Sequence, residues 1–174
     1  MTALSDHQRA PQQPVALWRR PRTLDLVGLV ARLLLGGVML VAGALKVTKP
    51  EVSARAVQAY QLLPFDLATY VGYALPVLEV IIGALLVAGL FTRVSAVVSG
   101  VLLVAFVIGI GSAWARGLSI DCGCFGEGGT IDPSATRYLE EILRDVGLVL
   151  CAAWLVIRPR TAYSLERTLF AEGR

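Results

Sequence analysis

The stretch Val94–Ala115, VSAVVSGVLLVAFVIGIGSAWA, decides the fold. It carries no charged residue and is continuously apolar, without the alternation of a transmembrane barrel strand. A helix satisfies its own backbone hydrogen bonds inside lipid, and at 1.5 Å per residue about 20 residues cross roughly 30 Å of hydrocarbon. This segment is therefore a spanning helix. Three more apolar stretches flank it, residues 24–45, 70–90 and 138–157. In the last of them Glu140, Glu141, Arg144 and Asp145 crowd the first turns, so hydropathy alone tends to miss it.

The whole composition agrees with this reading. The 174 residues are 56% hydrophobic and only 17% charged, with a mean hydropathy of +0.67, outside the range of ordinary soluble domains. The expected architecture is all-α, an integral membrane four-helix bundle. It is expected to comprise a cytoplasmic tail over 1–23, a four-span domain over 24–157 and a second cytoplasmic tail over 158–174. No segment outside the spans is long enough to bury a core of its own. Any chemistry must sit in the bundle or its loops.

The first span follows Arg19, Arg20 and Arg22 and contains Ala42 and Ala44, which resembles a signal peptide. Its apolar run exceeds the 7 to 15 residues or so of an h-region, and it is read as an uncleaved span. Orientation follows from Lys and Arg in the short loops. One side holds Arg9, Arg19, Arg20, Arg22, Arg93, Arg158, Arg160, Arg167 and Arg174; the other holds Lys46, Lys49, Arg55, Arg116 and Arg137. Both termini should thus be cytoplasmic and the third loop extracytoplasmic. The same asymmetry accounts for the net charge of +3 without a nucleic-acid partner.

That third loop contains Asp121-Cys122-Gly123-Cys124-Phe125-Gly126. Extracytoplasmic compartments permit disulfides. Cysteines two apart can be bridged across a turn at Gly123, in a small ring whose strain makes the bond exchangeable rather than structural. Two other readings stand beside this one: unreactive loop thiols, and half of a metal site. The only histidine, His7, lies in the opposite tail, so four-coordinate zinc would need ligands from elsewhere, and no metal is expected. Cys151 lies in the fourth span, about 20 Å in depth from the loop, and reads as a small hydrophobe.

Ionisable groups in spans are costly, so they pair or serve a function. Arg32, Glu79, Arg144 and Asp145 are expected in one intramembrane polar layer, with Glu79 paired to Arg32 or Arg144. Pro76 bends the second span beside Glu79. Between the first two spans, Val52, Ala56, Ala59, Leu62 and Leu63 fall mostly on one helical face of residues 51–63. That pattern suits a short helix lying at the membrane surface or capping the bundle.

These residues together resemble the DoxX-like superfamily of four-helix membrane proteins. The shared pattern is Arg32, Gly36, Gly43 and Lys46 on the first span, then Pro76, Glu79 and Gly83 on the second. Within it the chain resembles the MauE branch, through Trp114 and Arg116, then Cys122-Gly123-Cys124-Phe125-Gly126, then Arg144-Asp145. The resemblance covers roughly residues 24–157. It implies a redox-associated membrane protein: MauE proteins are tied to maturation of a disulfide-rich methylamine dehydrogenase subunit, and relatives to thiosulfate:quinone oxidoreductases and thioredoxin-like partners.

The expected function is thiol-disulfide exchange, or disulfide-dependent maturation of an extracytoplasmic client, at Cys122 and Cys124. Trp114, Arg116, Asp121, Gly123, Phe125 and Gly126 would support the loop. The expected partners are membrane lipid and a thioredoxin-like or disulfide-rich extracytoplasmic protein. A quinone beside Glu79 is the candidate electron carrier. Two rivals from other classes are a non-catalytic assembly factor or scaffold, and a small-solute carrier using the charged layer.

Overall fold

The computed structural model describes residues 21–123 and 128–159. The apolar stretches form α1 (Pro21–Val47), α3 (Phe65–Ala88) and α4 (Thr92–Ala115), each long and apolar enough to cross a membrane. The charged fourth stretch forms α5 (Tyr138–Ile157), a helix of the same length class whose hydropathy is diluted by its first turns. Between α1 and α3 lies the short α2 (Pro50–Ala59). The protein is an all-α membrane protein.

α1 packs along α3 and α4 along α5, and α1–α5 and α3–α4 contacts close the bundle. The α1–α3 crossing is as close as backbones allow. A Cβ on Gly43 would lie 2.7 Å from the Pro76 carbonyl oxygen, and one on Gly83 would lie 2.6 Å from the Leu40 nitrogen. Small residues at such crossings are how helices associate in lipid, where apolar burial gives no advantage over the solvent. α3 ends at Gly89 in the left-handed conformation (φ 70°), which accepts the reversal into α4 without a Cβ penalty.

One apolar core, including Leu35, Met39, Leu86, Leu103, Leu148 and Leu155, fills the half of the bundle nearest the chain ends of the membrane region. The outer faces carry Leu34, Val101, Ile108 and Leu150 exposed. A groove of about 450 Å³ between α4 and α5 is lined entirely by apolar residues and small side chains. Such a surface belongs in contact with lipid acyl chains.

α2 is shorter than the expected amphipathic segment. It stops at Ala59, and Leu62 and Leu63 lie outside it and exposed. Its buried face is Ser53, Ala54 and Ala56. Ala54 sits so near Gly72 of α3 that a Cβ there would be 2.4 Å from the Ala54 Cα. α2 therefore caps the bundle, one of the two roles its pattern allowed.

Candidate functional site at the hairpin and the buried polar track

After α4 the chain forms a two-stranded antiparallel hairpin, β1 (Ile120–Asp121) with β2 (Gly129–Thr130), in register Ile120↔Thr130 and Asp121↔Gly129. Cys122 and Gly123 enter its turn directly after β1. Tyr138, the first residue of α5, clamps the hairpin base: its hydroxyl accepts from Ile120 N at 2.9 Å and donates to the Leu118 carbonyl. From the other side, Tyr60 at the end of α2 donates to the Cys122 carbonyl at 3.4 Å. Tyr60, Ile110, Ala113, Ile120, Cys122 and Tyr138 make a second core beneath the turn. Gly123 (φ 73°) and Gly128 (φ 64°) both lie over Ala56, where added Cβ atoms would approach to 2.5 and 2.7 Å. Only glycine fits both that backbone and that contact.

Cys122 is buried, 5% exposed. Its side chain lies beside the Glu141 carboxylate of α5. The side-chain donor atoms of Asp121, Cys122 and Glu141 all lie within 4.8 Å of one another. Asp121 also shapes the turn, accepting from Gly123 N at 2.8 Å through Oδ1. Among the described residues, one thiol and two carboxylates fall a ligand short of the four that structural zinc takes.

Of the supporting residues expected from sequence, Asp121 and Gly123 are at the thiol. Arg116 is used differently: its Nη2 donates to the Tyr60 carbonyl at 2.5 Å and its Nε to the Ser112 carbonyl at 3.1 Å, so it fastens α2 to α4. Trp114 is 54% exposed, its ring 6.1 Å from that of Tyr138. Cys124, Phe125 and Gly126 lie outside the described residues. Cys151 packs with the other core, ten residues along α5 from Glu141, or about 15 Å, in keeping with its reading as a small hydrophobe.

The intramembrane charges differ from expectation in two respects, the partner of Glu79 and the level of Arg32. Glu79 pairs with Lys46, not with Arg32 or Arg144: Lys46 Nζ is 3.0 Å from Oε1 and 2.8 Å from Oε2, with both side chains buried. α1 extends past residue 45 to Val47, so Lys46 is helical, and helix side chains lean toward the N-terminus. The ammonium therefore reaches back to the level of Gly43, which abuts Glu79. Arg32, also buried, lies eleven residues before Gly43, roughly 16 Å away along α1, and does not share that level. Arg144 and Asp145 pair with each other, Nη2 and Nε each 2.9 Å from Oδ1. Glu79, Arg144 and Asp145 do converge, lining one buried cavity of about 20 Å³.

A membrane helix bundle whose cysteine-bearing hairpin is braced by three helices defines the class. The family follows from comparison: the model of methylamine utilisation protein MauE matches residues 24–158, and the chain belongs to the MauE family, compatible with the coarser DoxX-like likeness. No curated protein and no solved structure matches it.

Lys46, Tyr60, Tyr138 and Glu141 were not singled out from sequence as site residues. For Glu141 a signal existed: Glu141, Arg144 and Asp145 stand at i, i+3 and i+4, one helical face.

Proposed function

We propose that this MauE-family protein performs thiol-disulfide exchange, or disulfide-dependent maturation of an extracytoplasmic protein, through Cys122 and Cys124. The observation that supports it best is the setting of Cys122, a buried thiol within 4.8 Å of two carboxylates in a braced hairpin at one end of a membrane bundle. An inert thiol needs no acidic neighbour. In the forward step a cysteine thiolate attacks a partner disulfide, a new S–S bond forms, and one partner sulfur leaves as a thiol. The second cysteine then displaces the other partner sulfur. The dithiol loses two electrons and the partner's disulfide gains them; maturation of a client dithiol runs the same steps in reverse. The partner is a thioredoxin-like or disulfide-rich extracytoplasmic protein, and the Lys and Arg bias puts the hairpin on its side of the membrane.

The polar interior is read as a clamp on helix order. Its cavity of about 20 Å³ has room for a water molecule, not for a transported solute or a quinone headgroup.

The test is a cysteine trap in intact cells. With Cys122→Ser or Cys124→Ser, the remaining loop thiol should hold a partner as a mixed disulfide, and an impermeant maleimide should reach it from outside after reduction. Intact client maturation in the double Ser variant would establish the scaffold reading instead. Labelling confined to inside-out vesicles would reverse the topology.

A further inference from the structure

The function proposed above leaves a proton to be accounted for. A thiol must lose its proton to attack a disulfide, and the sulfur it displaces must gain one. At a thiol that is 5% exposed, bulk water is poorly placed for either transfer, and an alkyl thiolate expelled there would be a poorly solvated anion.

Resting on that reading, we propose that Glu141 is the proton acceptor and donor for Cys122, a catalytic residue of the exchange step. Three observations carry it. The Cys122 sulfur and a Glu141 carboxylate oxygen lie within 4.8 Å of each other, so the proton has a short path. Its Oε2 is buried and makes no hydrogen bond among the described residues, which leaves acceptor capacity at the site. The third is rigidity: Glu141 lies one turn into α5, and Tyr138 at the start of that helix holds the hairpin carrying Cys122, so the two groups are fixed to one frame. Arg144 and Asp145, one turn further along, and Asp121 of β1 set the field around the carboxylate.

The step balances. The Cys122 thiol gives its proton to the Glu141 carboxylate, and its sulfur attacks a disulfide RS–SR. The S–S bond breaks as Cys122–S–SR forms, and RS⁻ takes the proton back from Glu141 to leave as RSH. Cys122 is oxidised and the departing sulfur reduced, with the disulfide as the oxidant.

The experiment uses the full chain with Cys124→Ser and Cys151→Ser, so that Cys122 is the only thiol, and two reagents of similar size. Hydroxyethyl disulfide expels an alkyl thiolate that needs a proton. Iodoacetamide expels iodide, which does not. Glu141→Gln keeps the shape and a hydrogen-bonding group but cannot take the proton. It should slow exchange with the disulfide about a hundredfold, the low end of what a positioned acid–base group contributes, and slow alkylation far less, because both reactions need the Cys122 proton removed but only exchange needs one delivered to the leaving sulfur. Removing the negative charge should, if anything, favour the thiolate. Equal slowing of both reactions would reduce Glu141 to a packing role and overturn the proposal, as would unchanged exchange. Alkylation without any disulfide exchange when Glu141 is present would instead overturn the thiol-exchange function itself.

Discussion

Glu79 and Glu141 are both helix carboxylates held against a side chain from another element, and their surroundings differ in kind. Glu79 meets Lys46 where α1 and α3 touch backbone to backbone, and the charges neutralise each other inside the bundle. Glu141 meets a thiol under a hairpin turn that depends on two tyrosine hydroxyls for its place. The first arrangement is closed, and either change of charge exposes a cost. The second pairs an acid with a group that must gain and lose a proton to act. Under the proposed function, chemistry belongs to the hairpin and helix order to the bundle.

The sharpest way to break this division is at the ion pair. Lys46→Met should cost about 3–5 kcal/mol of stability, because it leaves the Glu79 carboxylate buried without its cation. Lys46→Met with Glu79→Gln should recover most of that loss. A double-mutant cycle by unfolding in detergent measures it, and additivity between the two changes would remove the pair from the account. The same cycle between Glu79 and Arg32 should be additive.

Next in size is the α1–α3 crossing. Gly43→Ala must push against the Pro76 carbonyl and should cost about 1–3 kcal/mol, whereas Gly37→Ala, with nothing within 4 Å of its added Cβ, should be close to neutral. Equal effects would mean that the helices do not cross there.

At the hairpin, Tyr138→Phe strips the hydroxyl that holds Ile120 N and the Leu118 carbonyl. A loss of about 1–3 kcal/mol is expected, seen as faster amide exchange in residues 118–131 with the bundle unchanged. Faster exchange throughout the bundle would show that the two regions are one cooperative unit. The smallest effect belongs to Arg137→Ala. Its pair with Glu140 is 3.5 Å long between side chains that are 75% and 73% exposed, and the change should stay within about 0.5 kcal/mol.

What the chain disclosed in advance follows the same division. Uncharged runs such as Val94–Ala115 are legible because lipid forces backbone bonds inside each helix, and α4 includes that whole run. α5 was legible in spite of Glu140, Glu141, Arg144 and Asp145, from the apolar run behind them. The partner of Glu79 was not. It depended on the offset between α1 and α3, set by Gly43 and Gly83, and on a lysine at the end of the first span that was counted for orientation and not weighed as a partner. The Cys-Gly-Cys turn stood out as a motif, but Glu141 reaches Cys122 only through the fold-back of the hairpin onto α5, a long-range contact that no local spacing encodes. Arg116 was read as a neighbour of the thiol because it is near in sequence, yet its guanidinium is turned to α2.

Whether Cys122 and Cys124 form an exchangeable disulfide, as proposed, is read by a redox titration of the Cys151→Ser protein. A reversible two-electron transition between the loop cysteines is expected at a potential above about −300 mV, more oxidising than structural disulfides. A potential below about −300 mV, or no disulfide under oxidising conditions, would contradict the proposal.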